Sequence, residues 1–243
     1  MKACFFDLDG TLTDAREGLH LSFRAAVDAI GAKSLNDAEL DSFLGTPLPE
    51  MFRVLKPDIS LIEIERGIAA FREAYEKRGI RHNRLYPGVR EMLQTLKSNQ
   101  VAVWVVTSKP ELYAKEVVED LGLQSLVSGI VGAGSAELDT KPELVSRALS
   151  QAGTPKAETL MVGDRHYDVE GALQNGITPI GVLWGYGTED ELRSAGCRKF
   201  AKSVPELRSN FLDAGGLADL SGLGGADEQA STPVMPCRKV RCH

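Results

Sequence analysis

The chain has 243 residues, enough to bury a sizeable core as one domain with a large insertion or as two modest domains. Its apolar content of 43% and charged content of 26% are ordinary for a soluble globular protein. A formal net charge of −6 leaves no basic excess for a nucleic acid polymer, so any phosphate ligand must be held by a local site. The stretch from Met1 to Asp7 reaches an acidic side chain too soon for a secretory signal. No run approaches the roughly 18 apolar residues of a membrane-spanning helix. Cys4, Cys197, Cys237 and Cys242 have no framework spacing. The expectation is a cytoplasmic protein with reduced thiols, monomeric or homodimeric, with neither a nucleic acid polymer nor a membrane as partner.

In chain order, the first predicted strand is 3–6, an apolar run that ends on Asp7. The interval from about 14 to 85 contains no convincing strand and carries helical patterns around 15–30, 37–44, 47–55 and 60–78. It far exceeds the roughly 4–6 residues of an ordinary strand-to-helix connection. A helical domain inserted after the first strand is therefore expected, with the chain returning near Tyr86-Pro87-Gly88. A helix follows over 89–96, with Val89, Met92, Leu93 and Leu96 on one face.

The next predicted strand, 101–106, runs into Thr107-Ser108-Lys109, and Pro110 opens a helix over 111–121 that Gly122 closes. Another helix, 142–152, starts with Pro142 and ends at Gly153. Strands over 159–162 and 177–183 run into Gly163-Asp164 and Trp184-Gly185-Tyr186-Gly187. Continuous apolar runs of this length read as strands covered on both faces. Their alternation with helices reads as α/β, an open parallel, Rossmann-like sheet flanked by helices. The expected division is a core of 1–14 with 86–213, a helical domain of 15–85, and a disordered C-terminal tail of 214–243.

Ligands of such sheets sit beyond the carboxyl ends of the strands, where the polar endings converge. Asp7 and Asp9, two apart at a strand end, can face one site. Asp before Gly is also a common turn signal, so the pair alone leaves both readings open. Asp164 and Asp168, just past another buried strand, add two carboxylates to the same edge. Four such groups repel one another unless a cation neutralises them, and hard oxygen ligands suit Mg²⁺. Thr107 and Ser108 close a strand and lead into a helix whose amides can bind an anion. Lys141 adds a mobile positive charge at another helix start, a place where a lone lysine is ordinarily solvated.

These segments together resemble the haloacid-dehalogenase-like (HAD) hydrolase superfamily over about residues 3–210. Phe6-Asp7-Leu8-Asp9-Gly10-Thr11-Leu12 is similar to its first motif and Val106-Thr107-Ser108 to its second; Lys141 matches the third, and Gly163-Asp164 with Asp168 the fourth. The resemblance implies a HAD-type core with a mobile helical cap, and a Mg²⁺-dependent phosphatase for a small phosphorylated metabolite. It implies that Asp7 is the nucleophile that becomes an aspartyl-phosphate. Asp9 would be the acid and then the base. Thr107 and Lys141 would neutralise the phosphoryl oxygens, with Ser108 beside them in the substrate-binding set. Mg²⁺ would be held by Asp7, the backbone carbonyl of Asp9, and Asp164, while Asp168 orders the site from behind. Dehalogenases of the superfamily lack the Asp9 equivalent, whereas sugar phosphomutases keep it.

Within the superfamily the chain looks like the phosphoglycolate-phosphatase-like branch. The runs 107–110, 163–169 and 181–187 look instead like bacterial 5′-nucleotidase-like members. Arg165 replaces the small hydroxyl residue common after the fourth-motif Asp. Trp184 and Tyr186 have the shape to stack a nucleobase, although packing of Trp184 against a helix is the more ordinary fate. Gly45-Thr46-Pro47 reads equally as a substrate-facing loop or a plain turn. Arg53, Arg72, Arg78, Arg81 and Arg84 include candidates for gripping an anion, and His166 is expected in a surface hydrogen bond. The leading expectation is a phosphoglycolate phosphatase-like enzyme and the alternative a 5′-nucleotidase, followed by a sugar phosphomutase or a non-catalytic HAD-like scaffold.

Overall fold

A computed structural model of the chain describes residues 1–134 and 139–212, so the expected tail lies outside the described residues. The main sheet is six parallel strands, β1 (Ala3–Phe6), β4 (Ala102–Pro110), β5 (Gly129–Ala133), β6 (Thr159–Gly163), β7 (Thr178–Val182) and β8 (Phe200–Ala201), in the order β5-β4-β1-β6-β7-β8. The order reverses at β1, which puts the topological switch, and with it the ligand crevice, at the end of the first strand.

Every residue of β1 is buried. Ala3 and Phe5 face one side, among Trp104, Val106 and Met161 and the helices α7 (Lys141–Ala152) and α8 (His166–Gln174). Cys4 and Phe6 face the other, among Val103, Val105 and the helices α5 (Val89–Ser98) and α6 (Glu111–Asp120). Two apolar layers explain why the strand reads as an unbroken hydrophobic run. Two shorter helices, α9 (Glu189–Ser194) and α10 (Val204–Leu207), flank the β7–β8 end of the chain.

Between β2 (Thr13–Asp14) and β3 (Arg84–Leu85) lie the helices α1 (Arg16–Ile30), α2 (Asp37–Asp41), α3 (Leu48–Leu55) and α4 (Leu61–Lys77). They enclose an apolar cluster of their own, with Phe23, Val27 and Ile30 of α1 against Leu40, Met51, Phe52 and Ile64. Asn36 and Ser60 form capping boxes at the starts of α2 and α4, each accepting from the backbone three residues on. Among the described residues, no helix is long and apolar enough to cross a membrane.

Three departures from the sequence reading have physical causes. The 14–85 interval does contain strand, because β3 pairs antiparallel with β2 where the chain leaves and re-enters the core. A two-residue strand is too short to show alternation. β5 and β8 also went unpredicted: Gly129-Ile130-Val131-Gly132-Ala133 contains two glycines, and β8 is again two residues. Finally, β4 runs on to Pro110, so Thr107 and Ser108 lie within a strand expected to end at 106, while α6 begins at Glu111 as expected. The backbone of Pro110 is extended (φ −48°, ψ 131°), which continues the strand up to the first residue of the helix.

Phe5 is fully buried and meets the edge of Trp104 at a ring separation of 6.4 Å. Replacement by Ala is expected to cost about 3–5 kcal/mol, as for other large core deletions. Urea unfolding should show this as a lower midpoint with an unchanged slope.

Candidate active site

The tip of β1 places the first two carboxylates. Asp7 continues the strand, its amide donating to Val162 O at 3.0 Å, and is 9% exposed. The chain then turns sharply: the amides of Leu12 and Thr13 both donate to Leu8 O at 2.9 Å. Gly10 sits in this turn with φ +87°, and a Cβ there would lie 2.3 Å from Asp164 Oδ2. Only glycine permits both that backbone conformation and the close approach of the carboxylate.

Asp164 directly follows β6 and is completely buried. Its Oδ1 accepts from Thr11 Oγ1 and its Oδ2 from the amide of Tyr186, both at 2.8 Å. Asp168, in the first turn of α8, accepts from the Arg165 amide at 3.1 Å. Asp7, Asp164 and Asp168 each place a carboxylate oxygen within 4.8 Å of the others. Burial, then the charges of Asp7 and Asp168, pushes Asp164 up to about 8. Burial likewise raises Asp168, to about 6, with Lys141 opposing the rise and Asp7 adding to it.

The sequence reading allowed Lys141 a mobile charge; the structure pins it instead. Its Nζ lies 2.8 Å from Asp7 Oδ1, 2.8 Å from Asp168 Oδ1 and 3.1 Å from Val106 O. Burial opposes the ammonium charge, but Asp168 and Asp7 outweigh it and hold Lys141 above the ordinary lysine value. Removing such a partner leaves buried charge uncompensated, at a cost of about 3–5 kcal/mol. Thr140 and Glu143 form a capping box that sets where α7 begins, and so where the lysine points.

Thr107 is buried at this edge, with its Oγ1 accepting from the Lys109 amide at 3.2 Å, whereas Ser108 is exposed. Asp9 has one oxygen 3.3 Å from Thr13 Oγ1 and the other 2.6 Å from Lys109 Nζ. Sequence reasoning gave Lys109 no role. The signal was present: on a strand, Lys109 shares the side of Thr107, two residues before it. Burial opposes the Lys109 charge, but Asp9 and Tyr75 outweigh it and keep this ammonium above the ordinary lysine value.

Trp184, Tyr186, Arg165 and His166 are held in structural contacts. Trp184 Nε1 donates to Thr11 O at 3.1 Å, and its ring meets the edge of Tyr86. Tyr186 Oη accepts from the Ala15 amide at 2.9 Å. Both rings thereby brace the chain crossings to the helical segment. Arg165 donates to Leu44 O, and Gly45 (φ +79°) lies so close that a Cβ would meet the guanidinium at 2.5 Å. His166 Nδ1 is 2.7 Å from Glu191, which also holds Arg165 at 2.8 Å.

The donor set fits Mg²⁺. It consists of hard carboxylate oxygens, and three negative groups share a single ammonium. The raised carboxylates have a definite consequence for stability. A carboxyl that holds its proton more tightly folded than unfolded stabilises the fold at low pH and loses that contribution as pH rises through the folded value. For Asp164 the loss extends from the ordinary aspartate range to about 8. Metal-free protein should therefore melt at a lower temperature at pH ~8 than at pH ~5. Mg²⁺ should raise the midpoint more at the higher pH, and Asp164→Asn should flatten the dependence. Thermal scans with EDTA or Mg²⁺ decide this; a metal-free midpoint indifferent to pH would contradict it.

Comparison with known proteins agrees with this geometry. The chain is 34% identical to a 5′-nucleotidase of Pseudomonas aeruginosa over 84% of its length and 92% of the relative's. It is also 34% identical to the tyrosine-protein kinase PtkA of Mycobacterium tuberculosis, over 84% of this chain and 70% of that one. A phosphoglycolate phosphatase of Neisseria gonorrhoeae shares 32% identity over 77% and 82% of the two lengths. Among solved structures, a predicted phosphatase from Clostridium acetobutylicum superimposes with a TM-score of 0.82 and 32% identity, covering 87% of this chain and 98% of its own. The family model for haloacid dehalogenase-like hydrolases matches residues 4–182, from within β1 to the end of β7 and including Asp7, Asp9, Asp164 and Asp168, and the chain belongs to that family.

Proposed function

We propose that the chain is a Mg²⁺-dependent phosphatase hydrolysing small phosphomonoesters of the phosphoglycolate type, with Asp7 as its nucleophile. One observation carries this reading. At the tip of the central strand, a carboxylate held by a buried lysine lies two residues from a second carboxylate, as a nucleophile and a separate acid/base require.

In this reading Asp7 attacks phosphorus and forms an aspartyl-phosphate, while Asp9 gives its proton to the departing alcohol. Asp9 then takes a proton from water as that water attacks phosphorus, which frees phosphate and restores Asp7. Lys141 and the Thr107 hydroxyl neutralise the phosphoryl oxygens as charge shifts onto them. Mg²⁺ held by Asp7, the Asp9 carbonyl and Asp164 would supply further charge neutralisation, with Asp168 fixing Lys141 from behind. Ser108, exposed beside Thr107, is assigned to the rim of the substrate site.

The division into a core (1–14 with 86–213) and a cap (15–85) is part of the proposal. The separate apolar cluster of α1–α4 and the β2–β3 crossing support a cap that moves as a unit. The proposed setting is the cytoplasm, consistent with the free, buried thiols of Cys4 and Cys197, with the enzyme acting as a monomer or homodimer.

A small acid is favoured over a nucleotide because Trp184 and Tyr186 are engaged at the cap crossings. The 5′-nucleotidase alternative draws on the Pseudomonas relative and on the resemblance of the runs 107–110, 163–169 and 181–187. A panel of phosphoglycolate, nucleoside monophosphates and sugar phosphates, ranked by kcat/KM, separates the two. Phosphate release should stop in Asp7→Asn and under chelation, and Asp9→Asn should lower kcat on alkyl esters by about 10²–10⁴-fold. Full activity in Asp7→Asn would refute the mechanism. Isomerised glucose phosphate without free phosphate, or phosphate transfer from ATP to tyrosine, would overturn the hydrolase reading.

A further inference from the structure

The mechanism leaves one buried cation at the site without a task. Lys109 stands at the end of β4, its side chain 6% exposed, and Lys141 already serves the nucleophile. The Lys109 ammonium makes two short contacts, 2.6 Å to Asp9 Oδ2 and 2.6 Å to Tyr75 Oη, and lies 4.5 Å from the centroid of the Tyr75 ring. The other Asp9 oxygen lies against Thr13 Oγ1. Each oxygen of the carboxylate thus has its own holder, one from the core turn and one that leans on helix α4.

Tyr75 belongs to α4 and is 1% exposed. Its ring stacks on Phe71 of the same helix at 6.0 Å and an interplanar angle of 4°, and packs on Tyr113 of α6 at 5.4 Å. The position of its hydroxyl is therefore set by where α4 rests on the core. A lysine on a flexible four-carbon stem has no fixed aim by itself; with Tyr75 on its far side, it does.

We propose that Lys109 is a positioning residue that aims the Asp9 carboxylate at the leaving group, and that Tyr75 makes this aim depend on the seating of α4. A proton donor must lie within hydrogen-bond reach of the atom it protonates, and a displacement of about 1 Å costs about 10²-fold in rate. When α4 lifts, Lys109 loses one of its two anchors, and Asp9 loses the definition of one oxygen. The acid/base is then fully aligned only under a closed cap, which restricts its action to a site shielded from bulk solvent, with only the attacking water admitted. The inference rests on the phosphatase reading, in which Asp9 is the acid/base.

The full-length protein, Lys109→Met and Tyr75→Phe can be compared by rapid quench with two esters. Phosphoglycolate needs its departing alkoxide protonated, whereas dinitrophenyl phosphate expels a phenolate that needs no proton. For Lys109→Met we expect kcat on phosphoglycolate to fall about 10²-fold with little change in KM. The single-turnover release of dinitrophenolate should keep its wild-type rate constant, and the phosphate that follows should appear slowly, because the same carboxylate must activate water. Tyr75→Phe keeps the ring and removes only the hydroxyl; it should show the same split with a smaller loss.

Equal slowing of both esters would overturn the proposal in favour of general support of the site. A raised KM with unchanged kcat would overturn it in favour of direct substrate contact. If Lys109→Met does not fold, Tyr75→Phe decides alone, and wild-type kcat on phosphoglycolate in that variant overturns the inference. Wild-type protein that releases no phosphate from either ester refutes the phosphatase reading itself, an outcome distinct from the other three.

Discussion

The crowding of buried carboxylates at the end of β1 is the constraint to which the rest of the site answers. Reversal of strand order there brings the end of β1 beside the end of β6, so Asp7, Asp164 and Asp168 have no room to separate. At an effective dielectric of about 20, charges at such separations repel by roughly 3 kcal/mol per pair. Lys141 offsets part of this by bridging Asp7 and Asp168. Thr11 and the Tyr186 amide satisfy the oxygens of Asp164. One ammonium against three carboxylates still leaves a site suited to a divalent cation, and the raised carboxylates are the electrostatic sign of it. The carboxylate crowding that suits a divalent cation is thus built into the topology.

The helical segment answers to the same edge. Its chain leaves and returns side by side, tied by Thr13 to Leu85 and Asp14 to Arg84, and this crossing is braced by Trp184 and Tyr186 from the loop after β7. Two further contacts span the two parts of the protein at a distance from the crossing. Arg165 reaches Leu44 O, and Lys109 reaches Tyr75. Arg165 directly follows Asp164, and Lys109 stands two residues after Thr107. The inserted helices and the site are therefore joined through short stretches of chain, without a long pathway.

Much of this was legible beforehand because its signals are local. The apolar run into Asp7 marks a strand covered on both faces, and the spacing of Asp7 and Asp9 puts two carboxylates at its end. Pro and Gly punctuate α6 and α7 close to where the helices begin and end. The 14–85 interval declared itself by length and helical period. What escaped had no local signal: β2, β3 and β8 are two residues each, and β5 is diluted by glycine.

The candidate residues of the site were determined by the sequence, because the two carboxylates after β1, a hydroxyl, a lysine and two more carboxylates each close a recognisable strand or open a helix. Their pairing was decided only by the tertiary structure. Lys141 bridges Asp7 and Asp168 across separations of 134 and 27 residues, and Lys109 joins Asp9 to a tyrosine of the inserted helices. Periodicity can report which way a side chain faces its own element. It carries no information on which distant charge will stand opposite, since that depends on strand order and on how the inserted helices rest on the core.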